Sequence, residues 1–214
     1  MDVPPPIADR IARISDALGA AQDDAARRAL GVWLALVTAW NARIDLTAAR
    51  SEDELCDLML ADALVLAAHL PAGAAVVDVG TGAGAPGLPL AIVRPDLKVT
   101  LVEPLQKRVA FLRTATGSAL PAEARPAVVR GRGEDLVKRD ARFGAAVSRA
   151  TLAPDKWLAL GGALAPEGDV WVLLARDAPP IAAGRRATTD LRYRWPLTGA
   201  ERRAVAYVPE PPAR

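Results

Sequence analysis

Residues 76–87 run Val-Val-Asp-Val-Gly-Thr-Gly-Ala-Gly-Ala-Pro-Gly, an apolar stretch with an acid near its end and then four glycines. The apolar part reads as a buried strand. The glycines open a turn into a helix, where the missing Cβ lets backbone come close to a ligand. Gly82, Gly84 and Gly87 match the G-x-G-x-x-G spacing that cradles a pyrophosphate, a weak signal taken alone. Asp78 points elsewhere. A carboxylate at a strand tip attracts an ammonium group, such as the one at the methionine end of S-adenosylmethionine, and repels a pyrophosphate in the same place. Glu103 closes the next apolar run, where an acid can accept hydrogen bonds from both hydroxyls of a ribose. Together the two acids favour methyl-transfer chemistry over hydride transfer with NAD. A glycine turn that merely packs a helix on a sheet is the structural alternative.

Composition narrows the remaining classes. The chain has 214 residues, 51% hydrophobic and 24% charged, enough for one sizeable core. No uninterrupted apolar run is long enough to cross a bilayer. The opening Met1-Asp2-Val3-Pro4-Pro5-Pro6 lacks the basic-then-apolar order of a secretory signal, so a cytoplasmic location is expected. Cys56 and His69 are each the single residue of their type, which excludes an internal disulfide and argues against a zinc site and a Ser-His-Asp triad. His69 falls at the end of an expected helix and reads as a surface residue favoured by the helix dipole. The net charge is only +2, yet arginines cluster after residue 76, at Arg130, Arg132, Arg185-Arg186, Arg192, Arg194 and Arg202-Arg203. Two readings stand side by side: an anionic partner such as nucleic acid, or an arginine-rich composition without functional meaning.

The acids need elements to hold them. Three helices are expected before the glycine turn, one carrying Ile7, Ile11, Ile14 and Leu18, one over residues 23–41, and one opened by Ser51-Glu52-Asp53-Glu54, which has the form of a capping box. Pro71 and Gly73 stop the third. From residue 74 strands alternate with helices: strands over 75–79, 98–102, 127–130, 145–148 and 169–174, and helices over 88–93, 106–116 and 154–160. That order predicts an α/β, Rossmann-like fold with a doubly wound, mostly parallel sheet. An antiparallel hairpin within 190–207 is expected to close the sheet edge, with a frayed tail at 209–212. The division expected is an N-terminal helical extension, 1–73, and a cofactor-binding domain, 74–214. Asp78, Glu103, Glu134 and Arg149 then all follow strand ends, where such sheets bind ligands.

Residues 76–113 resemble the bacterial guanine-N7 methyltransferases of 16S ribosomal RNA, the RsmG family, formerly GidB. The shared text is the glycine loop, Pro86-Gly87-Leu88-Pro89-Leu90, Ile92 through Pro95, a strand-ending acid and Lys107-Arg108 followed by Phe111-Leu112. Arg132-Gly133-Glu134-Asp135 and Val147-Ser148-Arg149-Ala150 match two further family turns. The resemblance implies a class I methyltransferase using S-adenosylmethionine, with contacts from Gly80, Ala85, Gly133, Glu134 and Arg149 and with Glu103 on the ribose, beside Asp78 and Gly82, which the strand tip and the glycine turn themselves propose. It places Gly133 and Glu134 beside the adenine, and Arg149 near the methionine end and the incoming base, where it orients the reaction. It implies a partner in 16S ribosomal RNA or the small ribosomal subunit; no metal is expected, with one histidine and one cysteine in the chain, and a monomer is expected. The alternative for Arg149 is a structural salt bridge to one of these cofactor-side acids. Some positions depart from the family: Asp45 replaces an asparagine, Leu58-Met59 replaces Arg-His ahead of Asp62, and Ala175-Arg176-Asp177 replaces a lysine motif. These departures lie on the substrate side and leave open a methyltransferase for a small molecule, or a non-catalytic RNA- or ribosome-binding relative.

Overall fold

The computed structural model describes residues 3–181 and 184–211. Met1-Asp2 and Pro212 of the expected tail lie outside the described residues. Three helices come first: α1 (Pro5–Ala17), α2 (Asp24–Ile44) and α3 (Glu52–Ala67). Asp23 caps α2 by accepting from the Ala26 amide at 2.7 Å. Ser51 accepts from the Glu54 amide at 3.1 Å, while the Glu54 carboxylate reaches the Arg50 amide at 2.8 Å. The reciprocal arm of the expected capping box is thus displaced by one residue.

The chain then alternates: β1 (Ala75–Val79), α4 (Gly87–Val93), β2 (Lys98–Glu103), α5 (Gln106–Ala119), β3 (Ala127–Arg130), α6 (Gly133–Val137), β4 (Ala145–Ser148), α7 (Pro154–Leu164) and β5 (Asp169–Leu174). A hairpin follows, β6 (Arg185–Arg194) and β7 (Glu201–Pro209). The sheet order is β3-β2-β1-β4-β5-β7-β6, with β1 to β5 parallel and β7 antiparallel to both β5 and β6. The order reverses between β1 and β4, so the crevice of the fold opens at their carboxyl ends.

Successive strand residues face opposite ways, and the sheet uses this to bury two cores. Val76, Leu101, Val147 and Trp171 pack with α1 to α5 on one face, with Trp33, Leu60 and Phe111 at their centre. Val77, Val102, Ala146 and Val172 pack with α6 and α7 on the other, against Leu136, Trp157 and Leu158. The three N-terminal helices therefore share a core with β1 and β2. Several lengths depart from expectation, α2 among them, which runs on to Ile44. Helix α5 continues through Gly117, where an added Cβ would meet nothing. Helix α7 continues through Gly161, where a Cβ would lie 2.6 Å from Val170, so a close approach to the sheet is what holds that glycine in the helix. The hairpin strands begin earlier and end later than the alternation within 190–207 suggests, because β6 pairs with β7 along its whole length.

Candidate active site

The glycine loop lies between β1 and α4 at the carboxyl edge. Gly80, Gly82 and Gly84 all have left-handed φ, at 71°, 57° and 107°, where an L side chain is strained. The Gly80 and Thr81 amides donate to the Val102 carbonyl at 2.8 and 3.2 Å, tying the loop to β2. The glycines do different work. A Cβ at Gly87 would lie 2.4 Å from Leu101 and 2.8 Å from Asp78, so this residue lets α4 settle on the sheet. A Cβ at Gly80 would lie 2.2 Å from the Thr151 hydroxyl. At Gly82 it would enter open space, with only the Gly80 carbonyl at 4.0 Å. Of the loop glycines, Gly82 is the one that keeps a cradle clear for a ligand. Ala85 is buried and joined to Pro86 by a cis peptide bond.

Asp78 does not line the surface of the crevice as expected. It is wholly buried beneath the loop, where its Oδ2 accepts from the Thr81 hydroxyl at 2.6 Å and the Gly87 amide at 2.8 Å. Its Oδ1 is buried without a partner. Burial pushes this carboxyl up to about 6, against the opposing pull of the Thr81 and Gly87 hydrogen bonds and of Arg149. An unpartnered buried carboxylate oxygen under an open glycine cradle fits a ligand that brings a donor or a positive charge. Glu103 is 2% exposed, with Oε2 accepting from the Gly82 amide at 3.1 Å and Oε1 from the Leu105 amide at 3.0 Å. Each oxygen keeps a lone pair for a ligand hydroxyl. Gly133 opens α6 in a buried position, where a Cβ would come within 3.1 Å of Val79 and 2.9 Å of Leu160, and the Glu134 side chain is exposed. The residues expected to hold a nucleoside with an ammonium-bearing tail therefore gather around the ends of β1, β2 and β3.

Arg149 follows β4 and its guanidinium engages α3. One guanidinium nitrogen donates to the Leu58 carbonyl and pairs with Asp62 at 3.2 Å. A salt bridge does form, but to Asp62 of α3 and not to one of the cofactor-side acids expected as its partner. Asp62 is 2% exposed, and its Oδ1 accepts from the Tyr193 hydroxyl at 2.8 Å and the Trp195 indole at 2.9 Å. Burial and the neighbouring Asp62 both raise the Tyr193 pKa, so this hydroxyl stays a proton donor. The network lines a cavity of about 250 Å³, together with Trp157, Val172, Leu174, Asp177 and Arg202. Its apolar and aromatic walls with a few directed polar groups suit a planar heterocycle. Ala150, with φ 53°, reverses the chain after Arg149 and lays Thr151 on Gly80; the Thr151 hydroxyl donates to the Val79 carbonyl at 3.2 Å. Two sites therefore share one short segment.

Several residues here were not singled out from the sequence. Trp33 of α2 donates its buried indole N–H to the Ala83 carbonyl at 2.9 Å, fixing the loop from outside. Asp57 is wholly buried and accepts from the Leu197 and Thr198 amides and the Thr198 hydroxyl, anchoring the turn of the C-terminal hairpin. A signal for Asp57 and Asp62 existed: acids inside the otherwise apolar run of α3 must find partners when that helix is buried. His69 is exposed, as expected. Among the described residues no group of three or more metal-ligating side chains occurs, and no helix is long and apolar enough to cross a membrane.

Comparison with known proteins places this geometry. Among solved structures, the fold is similar to an O-methyltransferase from Bacillus cereus in complex with SAH, with a TM-score of 0.58 at 16% identity, covering 91% of this chain and 94% of that one. It is also similar to TrmN from Thermus thermophilus, with a TM-score of 0.53 at 20% identity, over 79% of this chain and 53% of that one. Among curated proteins, the ribosomal RNA small subunit methyltransferase G of Anaeromyxobacter dehalogenans strain 2CP-1 is 39% identical over 76% of this chain and 75% of its own length. The protein of that name from Myxococcus xanthus is 34% identical over 80% and 82%. The model of the GidB family, described as rRNA small subunit methyltransferase G, matches residues 27–181, and the chain belongs to that family.

Proposed function

We propose that this protein is a monomeric, cytoplasmic methyltransferase that uses S-adenosylmethionine to methylate N7 of a guanine in 16S ribosomal RNA. One observation carries the reading: the open glycine cradle over Asp78 and the heterocycle-sized cavity beside Arg149 meet at the Arg149–Thr151 segment. S-adenosylmethionine, when bound, supplies a methyl group on a positively charged sulfur. Glu103 holds the ribose hydroxyls, Gly133 and Glu134 flank the adenine, and Asp78, under Gly80, Gly82 and Ala85, faces the ammonium end with its free oxygen. Guanine N7 carries its own lone pair, so no base has to remove a proton before attack. The cavity therefore has to align and exclude water, which agrees with a site built from Arg149 and aromatic rings, in which Asp62 is taken up by Arg149, Tyr193 and Trp195. Arg149 is held by Asp62 at an angle set by the Tyr193 and Trp195 hydrogen bonds, and its remaining donors are available to a base edge.

A second reading, methyl transfer to a free small molecule, is favoured by Leu58, which lines the cavity where the family pattern has a basic residue. One assay separates the two. Undermethylated small ribosomal subunits are incubated with tritiated-methyl S-adenosylmethionine and the labelled nucleoside is identified. Label in 7-methylguanosine is the expected result; no transfer to subunits or to their RNA overturns the proposal.

A further inference from the structure

The cavity does not end at Arg202. A groove of about 350 Å³ continues from it along the C-terminal hairpin, and Ala175, Asp177, Tyr193 and Arg202 line both. Five guanidinium groups border this groove, from Arg176 after β5, Arg192 and Arg194 on β6, and Arg202 and Arg203 on β7. Two of them are neutralised within the protein. Arg194 pairs with Glu201 at 2.7 Å, and Arg203 holds Asp190 by two hydrogen bonds at 2.7 and 2.6 Å. Arg176, Arg192 and Arg202 have no acidic partner within 4.0 Å among the described residues. Arg202 instead sits over the Trp195 ring, its guanidinium carbon 3.6 Å from the centroid, while lining the groove. Several like charges along one groove repel each other, and a bound polyanion relieves that repulsion.

We infer that this groove seats the RNA backbone next to the nucleotide whose base enters the cavity, with Arg176 and Arg192 on the flanking phosphates and the Arg202–Trp195 stack as a platform for a neighbouring base. The inference rests on the ribosomal RNA reading above. Guanidinium groups suit this task because they pair with phosphate oxygens through two parallel hydrogen bonds and also stack on bases. The pairing pattern distinguishes the groove from arginine-rich surface in general. Of the five that border it, Arg194 and Arg203 are taken up by Glu201 and Asp190, which leaves Arg176, Arg192 and Arg202, among the described residues, without an acid of their own beside the path into the cavity.

The test compares three proteins with the unmutated chain: Arg176→Ala/Arg192→Ala, Arg202→Ala, and a control, Arg28→Ala/Arg113→Ala, which removes the same charge from exposed sites on α2 and α5. Affinity for undermethylated small-subunit RNA is measured over a salt series, together with melting temperature, S-adenosylmethionine affinity and methyl-transfer kinetics. The Arg176/Arg192 variant should lose about 1.4 from the slope of log affinity against log salt, roughly 0.7 for each single-strand phosphate contact. Its KM for RNA should rise while kcat, cofactor affinity and melting temperature stay put. Arg202→Ala should weaken RNA binding with a smaller change of slope, since stacking is less salt-dependent. The control should match the unmutated protein. An Arg176/Arg192 slope equal to the control's overturns the groove while leaving the methyl-transfer reading intact, because the RNA is still methylated. Displacement of RNA by poly-glutamate at equal affinity, lost in the same variant, overturns it in favour of an acidic protein partner. Absence of any transfer to RNA by the unmutated chain removes both readings together.

Discussion

The two halves of the crevice are built on different plans. On the side of β1, β2 and β3 the candidate groups are close in sequence: Asp78 in β1, Thr81 and Gly82 in the loop and Gly87 at the start of α4 follow one another, and Glu103 ends the neighbouring strand. On the side of β4, β5 and the hairpin, the lining of the cavity joins Leu58, Asp62, Arg149, Tyr193 and Trp195, with up to 133 positions separating hydrogen-bonded partners. The first half is a local motif whose backbone does the shaping. The second is a junction of distant elements, and its geometry exists only after α3 and the C-terminal hairpin have docked. A local loop can keep its form while the far wall changes, which is how cofactor chemistry can persist beside a substrate side that departs from its relatives.

Substitutions in each half should therefore fail differently. The largest effect on the local half is expected from Gly82→Val, which puts two methyl groups into the open cradle at a left-handed φ. Calorimetry should detect no S-adenosylmethionine binding, while circular dichroism and a melting curve show a folded protein weakened by about 1–2 kcal/mol of backbone strain. Normal binding would remove the cradle from Gly82. Arg149→Ala addresses the other half. It should lower single-turnover methyl transfer by about a hundredfold, the scale on which misalignment acts, with cofactor affinity changed less than threefold. The melting temperature should also fall, since the variant leaves Asp62 without its buried ion pair. A purely structural Arg149 would instead show full activity in the fraction that remains folded, measured below the transition.

A subtler division concerns Asp78, whose carboxyl is raised by burial to about 6. Because its folded-state value lies above its unfolded one, the native protein holds the extra proton between roughly pH 4 and 6. Stability contributed at this site is therefore highest below the unfolded value, and falls as pH rises through about 6. Affinity for a ligand ammonium should run the other way, weakening as pH drops through about 6. Asp78→Asn should flatten both profiles relative to the unmutated chain, the affinity profile by up to about tenfold at neutral pH if one charge contact is lost. Profiles that stay parallel in the two proteins would detach Asp78 from both effects. The smallest change is expected from Trp33→Phe, which removes a single hydrogen bond to Ala83. A net loss of about 1 kcal/mol should appear as a roughly fivefold weaker cofactor affinity, read by titration, with methyl transfer unaltered at saturating cofactor.

The same contrast explains what could be read from the chain before its fold was seen. Strand positions 75–79, 127–130, 145–148 and 169–174 were legible because buried parallel strands are short apolar runs bounded by turn residues, and they match β1, β3, β4 and β5 residue for residue. The glycine loop, Glu103 and Arg149 were legible because each sits at the end of such a run. Helix α6 was not, since five residues around Leu136 and Val137 are too few for a helical period to emerge. Nor was the burial of Asp78: sequence placed it at the strand tip, and only the loop folding back over it decides which way its oxygens are satisfied. Asp57, Asp62 and Trp33 carry their roles through partners 50 to 141 positions away, and no spacing rule spans such distances.

The Trp33–Ala83 hydrogen bond also bears on where this molecule can be cut. A minimal version starting at β1 would look complete on paper, with every strand of the sheet and both acids present. It would lack the indole that holds the Ala83 carbonyl, and the face of the sheet bearing Val76 and Leu101 would lose Trp33 and Leu60 from its cover. Such a fragment would expose a broad apolar surface beside a loop freed from its outer tether, a combination that leads to aggregation before any ligand is met. Fusion partners and tags therefore belong ahead of α1, and the boundary at residue 74 marks a change of pattern in the chain without being a seam in the solid.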